Sequence, residues 1–295
     1  MKGKALFGVL LMTAWQAAQA EPVFMPQAAS VLQGKQVEAG VSPQFGYQSS
    51  EIDNSPGTTF KDRVWMYQVF GRYGVTDNLE TKLSVPIVHA IDSSEGLAST
   101  HNEDGGIGNM QVGAKYNFLN APLPLAAALD LDLPTANPSN NPAALGMRYN
   151  NQVQQGFNAH LQLIADTPMW ADMVTGHAEM GYMNTATYTT ATQDRFNPSD
   201  LFTFGASIDL SLKRVTEGLS ASAEMVGNTC LTHSRTDGTI NGNDMGTVVE
   251  AGPAVRYQRG SVRTWAGVLE DAGNSTFRAY NYRVNFGASL LFGGR

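Results

Sequence analysis

A two-residue alternation that keeps returning constrains this chain more than any other feature. From Asn109 to Phe118 the odd positions are polar or small (Asn109, Gln111, Gly113, Lys115, Asn117) and the even ones are apolar (Met110, Val112, Ala114, Tyr116, Phe118). The rhythm recurs at Phe202–Lys213 and Tyr280–Phe292. Successive side chains of a strand point to opposite faces, so each stretch has one apolar face and one wet face. A dozen such strands predict an all-β chain, closed as an antiparallel transmembrane barrel that is apolar outside and polar inside.

The start of the chain reads as a secretory signal peptide over residues 1–20. Lys2 and Lys4 are its positive end, Ala5–Trp15 its apolar stretch and Ala18-Gln19-Ala20 a small-x-small cleavage site, so the mature chain is expected to begin at Glu21. That apolar stretch is too short for a helical anchor, which takes about 20 residues. The longest later apolar run, Ala121–Leu129, is broken by Pro122 and Pro124. Loss of Lys2 and Lys4 takes the formal charge from −7 to −9, which argues against nucleic acid as a partner. Cys230 is the only cysteine; it has no intramolecular disulfide partner, builds no zinc site with other cysteines, and is expected in a loop. No Gly-x-Gly-x-x-Gly, Walker loop or His-Glu-x-x-His is present. No cofactor or metal is expected.

After residues 21–34, a periplasmic leader or a partial plug, twelve strands are predicted across a barrel domain of residues 35–295. They are Gln36–Tyr47, Val64–Tyr73, Leu79–Val88, Asn109–Phe118, Leu125–Leu133, Gln152–Ile164, Trp170–Tyr182, Leu201–Leu212, Leu219–Val226, Val248–Tyr257, Val262–Leu269 and Arg278–Phe292. Alternation is blurred in the second, and weakest in the ninth and eleventh. Short connections near Gly74–Asn78, Asn120–Pro124, Asp166–Pro168, Arg214–Glu217 and Arg259–Gly260 alternate with long polar ones. The long ones lie near Ser49–Asp62, Ile91–Gly106, Thr135–Asn150, Ala186–Ser199, Asn228–Gly246 and Asp271–Thr276. Outer-membrane barrels have short periplasmic turns and long external loops.

Aromatic residues give an independent check. Tyr73, Tyr116, Phe118, Trp170, Tyr257 and Phe292 fall on the apolar face near the short turns. Phe45, Tyr47, Trp65, Tyr67, Tyr182, Phe202, Phe204, Tyr280 and Tyr282 fall on it near the long loops. Two aromatic girdles around an aliphatic band are what a bilayer selects. A secreted β-sandwich has no reason to sort its aromatics in this way.

Three stretches carry a family resemblance. They are Tyr73-Gly74-Val75-Thr76-Asp77-Asn78-Leu79-Glu80 with Leu83-Ser84-Val85-Pro86; Gly106-Ile107-Gly108-Asn109 with Val112-Gly113-Ala114-Lys115-Tyr116-Asn117-Phe118-Leu119; and Leu131-Asp132-Leu133-Pro134-Thr135. Together they resemble the outer-membrane barrel family named for the meta-cleavage pathway of phenol degradation, best over Val64–Pro134. The resemblance implies an outer-membrane channel, sometimes associated with aromatic-compound catabolism, and transfers no catalytic residue. Many such barrels end on an aromatic residue, whereas here Gly293-Gly294-Arg295 follow Phe292.

Any solute function must rest on inward residues. By parity these include Arg72, Glu80, Lys82, Asn109, Gln111, Lys115, Asp130, Asp132, His160, His177, Glu179, Arg256, Arg263 and Arg283. Arg72 and Glu80 face each other across a short turn, and an ion pair is expected there. His160, His177 and Glu179 share one hairpin; they form either a proton- or metal-linked site or ordinary lumen hydrogen bonds, the second being the simpler reading. A hydrolase would need a nucleophile and base in contact, and no such cluster is visible. Pro43, Pro86 and Pro253 fall in or at the ends of strands. They are expected at rims or bulges, with a sideways opening into the membrane as the functional alternative. A twelve-stranded barrel lies between the filled interior of about 8 strands and the water channel of about 16. The expectation is a monomeric passive channel for small molecules, with hydrophobic or aromatic ones in view. The alternatives are a structural or surface-interaction barrel with a blocked lumen and, further off, a lipid-modifying enzyme. The expected partners are outer-membrane lipid, a small solute and the barrel assembly machinery.

Overall fold

The computed structural model describes residues 24, 28–51, 59–95, 100–120, 123–136, 157–170, 173–189, 195–240, 246–272 and 281–293. The signal peptide, most of the Thr135–Asn150 connection, Val153 and Gln154 of the predicted sixth strand, and Arg278–Tyr280 of the twelfth lie outside these residues.

A membrane-spanning wall cannot leave its backbone groups unpaired, and here the wall closes on itself. In chain order the strands are β1 (Val37–Glu51), β2 (Thr59–Gly74), β3 (Leu79–Glu95), β4 (Thr100–Ile107), β5 (Met110–Leu119), β6 (Leu125–Leu133), β7 (Asn158–Trp170) and β8 (Val174–Thr185). Then come β9 (Tyr188–Thr189), β10 (Arg195–Asn197), β11 (Leu201–Ser211), β12 (Leu219–Cys230), β13 (Arg235–Thr236), β14 (Thr239–Ile240), β15 (Thr247–Arg259), β16 (Val262–Asp271) and β17 (Tyr282–Phe292). The wall runs β2-β1-β17-β16-β15-β12-β11-β8-β7-β6-β5-β3-β4 and is closed by β2 pairing β3. Every pair is antiparallel. β4 and β5 are one strand interrupted at Gly108–Asn109, so the barrel has twelve strands. A four-stranded sheet of β14-β13-β10-β9 gathers two of the long loops.

Parity holds around the wall. Val37, Val41, Tyr67, Leu83, Leu129, Leu161, Ile208, Val255 and Leu290 are exposed on the outside, while Glu38, Ser42, Glu80, Asp130, His177 and Arg256 are buried inside. The outward aromatics cluster at the long-loop end. Phe45 meets Trp65 with centroids 4.4 Å apart, and Tyr47 meets Tyr282 at 5.4 Å. At the short-turn end Tyr73, Tyr116, Phe118, Trp170 and Phe292 are exposed to the surroundings of the barrel. The β15–β16 turn is built on Gly260, whose φ of 58° suits the first central position of a type II′ hairpin.

The structure corrects several boundaries. The predicted turn at Asp166–Pro168 is strand: β7 runs on to Trp170, with an irregularity between Pro168 and Trp170. Much of the predicted loop Ile91–Gly106 is the β3–β4 hairpin, and β1 and β2 reach into the predicted loop Ser49–Asp62. Cys230 ends β12, opposite Leu201, instead of lying in a loop. The cause is common to all of these except β7. A transmembrane strand needs only about 9–11 residues to cross, so the outer ends of strands such as the 17-residue β3 stand in water. There no apolar face is demanded and alternation fades.

The three prolines do not sit at the rims. Pro43 stands where β1–β17 pairing lapses between Val41 and Gln44, and Pro253 where β15–β16 pairing lapses between Ala251 and Ala254. Pro86 stands where β3 changes partner from β5 to β4. Register is unchanged across the first two lapses. Across the third, one extra residue enters the fourth strand, a bulge at Gly108–Asn109.

Candidate functional site

The lumen holds a dense set of charged side chains and a segment of the chain's own N-terminus. Small residues let that segment come close. On β6 the inward positions Ala126 and Ala128 pack with Ile164 of β7 against Ala29 of the leader. At Gly74 a Cβ would lie 2.0 Å from the Gln33 carbonyl oxygen, so only glycine admits the leader there.

The leader is held mainly through its main chain. Ala29 N–H donates to Asp166 Oδ2 at 3.0 Å, Leu32 N–H to Glu80 Oε2 at 2.8 Å, and Phe24 N–H to Glu224 Oε2 at 2.7 Å. In return Lys115 Nζ donates to the Ala28 carbonyl at 3.0 Å and Asn117 Nδ2 to the Ala29 carbonyl at 2.9 Å. Ala28, Ala29 and Leu32 are buried. Further up, the Phe24 ring lies 5.5 Å from the Arg283 guanidinium, within cation–π range, and a Cβ at Gly267 would sit 2.5 Å from that ring.

The carboxylates that grip the leader are fixed from behind. Arg72 takes Glu80 with two hydrogen bonds of 2.8 Å and reaches Glu38 at 3.0 Å; Arg263 meets the same Glu38 oxygen at 3.1 Å. The expected Arg72–Glu80 pair is therefore present, although in register Arg72 faces Lys82 and the pair is diagonal. Asp166 Oδ1 binds His177 Nδ1 at 2.7 Å, and His177 Nε2 faces Asp209 Oδ2 at 2.9 Å, an ion-pair contact without aligned hydrogen-bond geometry. Arg256 joins Asp209 at 2.9 Å to Ser222 and Glu224. One network thus runs from β7 to β15, and two of its carboxylates hold the leader. Charges this buried are tolerable only when partnered in this way.

The remaining predicted residues make the following contacts. Lys82 pairs Asp130 at 2.8 Å, Gln111 and Asn158 both donate to Asp132, and Asn109 accepts from Ala136 N–H at 3.1 Å. Arg283 pairs Glu250 at 2.6 Å. His160 bonds Thr203 at 2.8 Å and does not join His177, which lies six residues further down the neighbouring strand from His160's cross-strand partner, Met183. Glu179 Oε2 is buried with no hydrogen-bond partner among the described residues. Ser207 stands opposite His177 in register, but both ring nitrogens of that histidine face carboxylates, leaving none to activate a hydroxyl.

Asp166 is a member that sequence reasoning missed, because Asp-Thr-Pro reads as a turn. The leader contacts were also missed, since a main-chain N–H carries no residue signature. A third omission is apolar. Val64 and Met66 of β2 and Val88 and Ala90 of β3 point inward, form a buried cluster, and are met by Val248 of β15. Phe70 and Trp265 also face in, 6.2 Å apart, over the hollows at Gly40 and Gly287.

A closed twelve-stranded barrel with an apolar outer wall, aromatic girdles and a charged interior is a bacterial outer-membrane β-barrel. The chain belongs to the family described as "Putative MetA-pathway of phenol degradation", whose pattern matches residues 38–286. Its fold is similar to the crystal structure of an outer membrane channel from Pseudomonas putida F1, with a TM-score of 0.72 at 15% identity over 93% of this chain and 100% of that one. More distant likenesses include the translocator domain of the autotransporter NalP from Neisseria meningitidis (TM-score 0.48, 10% identity, 99% of this chain and 96% of that one). The TodX monoaromatic hydrocarbon channel is at a similar distance (TM-score 0.48, 8% identity, 90% of this chain and 91% of that one). No curated protein sequence matches the chain.

Proposed function

We propose that this protein is a passive outer-membrane channel for small apolar or aromatic solutes, and that residues 21–34 are its plug. The carrying observation is that the chain's own N-terminal segment, bonded at Phe24, Ala29 and Leu32, lies against the inward side chains of the wall. A wall with room for a peptide has room for a small solute once that peptide moves. The family and the similar channel fold are consistent with this reading. The lumen residues Arg72, Glu80, Lys115, His177 and Arg256 then act as the seat of the plug, and the path of the solute runs beside them. The chain is expected to work as a monomer, inserted in outer-membrane lipid by the barrel assembly machinery.

A second reading has one observation in its favour. The small sheet β14-β13-β10-β9 organises two long loops at the external end, as a surface-interaction barrel with a permanently blocked lumen would. Uptake of phenol into liposomes separates the two. The mature barrel and a variant lacking residues 21–34 are compared with empty liposomes. The channel reading expects uptake that is faster with the shortened barrel. No uptake with either protein supports the blocked barrel.

A further inference from the structure

We infer that the inward cluster Val64, Met66, Val88, Ala90 and Val248 is a dry collar, a second closure of the lumen that passes apolar solutes and stops water and ions whether or not the leader is in place. The inference rests on the channel reading and adds the residues that choose the solute class.

The position of Val248 carries it. Three strands, β1, β17 and β16, separate β15 from β2 along the wall. At roughly 4.8 Å per strand step this is about 19 Å of wall. Yet Val248 packs against the Val64–Met66–Val88–Ala90 cluster. Two stretches of wall a third of the way round the barrel from each other therefore come within side-chain reach, and the lumen is narrowed at this level. What meets there is hydrocarbon. With the leader in place Val64 is 2%, Val88 1% and Ala90 0% exposed, and Val248 is half-buried, so water does not run along this stretch of wall in the plugged barrel. A hydrated ion entering such a pinch must shed water and gains no polar partner in exchange, which is how hydrophobic constrictions gate by dewetting. An apolar solute suffers no such loss and needs only a side-chain movement, which Met66 with its unbranched thioether is suited to make.

The collar is separate from the leader's grip. Its residues stand toward the long-loop ends of β2, β3 and β15. The carboxylates Asp166, Glu80 and Glu224 that hold the leader stand lower on their own strands or on other strands.

The test uses barrels lacking residues 21–34, alone or with the isosteric set Val64→Thr, Val88→Thr and Val248→Thr, which wets the collar at constant width. Single-channel ion conductance is read in planar bilayers and phenol uptake in liposomes, with folding checked by heat-dependent gel mobility. The collar expects the shortened barrel to take up phenol without ion conductance, and the Thr set to raise conductance about tenfold or more. If the shortened barrel alone already conducts as well as the Thr set, or if a folded Thr set takes up phenol and still does not conduct, the collar is wrong while the channel stands. If no barrel takes up phenol or conducts, the channel reading fails and the collar falls with it. Should the Thr set not fold, single thiols in a Cys230→Ser background of the shortened barrel decide. A charged thiol reagent is expected to label Val88→Cys about tenfold more slowly than Ser84→Cys; equal rates overturn the collar.

Discussion

In the channel proposed above, the lower and upper halves of the lumen are closed by opposite chemistry. Below, contact is largely by address: hydrogen bonds join named main-chain atoms of the leader to a carboxylate, ammonium or amide on the wall, as with Ala29 N–H on Asp166 and Lys115 on the Ala28 carbonyl. Above, Val64, Met66, Val88, Ala90 and Val248 meet with no directed bond. Directed closure is strict about geometry, and it is undone when one partner is lost. Non-directed closure tolerates rearrangement and discriminates by polarity. In the proposed channel the lower half is a gate that must release on occasion and the upper half a filter that must always reject ions, and the two chemistries suit those different needs.

The sharpest way to break this comparison is to remove a cation that supports the lower half. Arg256 neutralises Asp209 and Glu224, both buried, and Glu224 in turn holds Phe24. Arg256→Leu removes the guanidinium that the two buried carboxylates share and is expected to destabilise the barrel by about 3–5 kcal/mol. Urea unfolding in lipid vesicles measures it, and a loss below about 1 kcal/mol would show that the network is ornamental. Adding Asp209→Asn and Glu224→Gln to the same variant should recover much of the loss, because the buried charges that Arg256 neutralised are then gone.

In the upper half the expected loss is smaller and follows volume. Met66→Ala empties space in a packed cluster and is expected to cost about 2–3 kcal/mol, whereas Met66→Leu keeps the volume and should cost under about 1.5 kcal/mol. The same unfolding measurement applies. Equal losses for the two variants would mean that the cluster is not packed as a unit, and the contrast between halves would lose its upper member.

How much of this could be read from the residues follows the same physics. Parity was legible because lipid outside and water inside press on every residue of a crossing strand; Val37, Tyr67 and Leu161 lie outward and Glu38, Asp130 and His177 inward on that basis alone. The β3–β4 hairpin beyond His89 was not legible, because a strand that stands in water on both sides has no apolar face to betray it. Asp166 is hidden in the sequence because a proline two residues on reads as an ending, while β7 absorbs Pro168 at an irregularity near its end. The collar did leave a trace. Val64 and Met66 inside, beside Trp65 and Tyr67 outside, make β2 apolar on both faces, and this is why its alternation is blurred. The leader left none, because its bonds are those of any backbone.

That last point allows the most delicate test of directed closure. Asn117 faces inward from β5 and donates through Nδ2 to the Ala29 carbonyl, while its Oδ1 has no hydrogen-bond partner among the described residues. Among its hydrogen bonds to the described residues, the one a side-chain truncation removes is thus to the leader and none is to the wall. Asn117→Ala is expected to weaken leader seating by about 1 kcal/mol and to leave barrel unfolding nearly unchanged. The Ala29 amide, bonded to Asp166, reports the seating directly. Its hydrogen exchange should quicken about fivefold while amides in β6 and β7 keep their protection. If exchange at Ala29 does not change, the leader is held by packing against Ala126, Ala128 and Ile164 instead, and the lower half closes by the same undirected means as the upper.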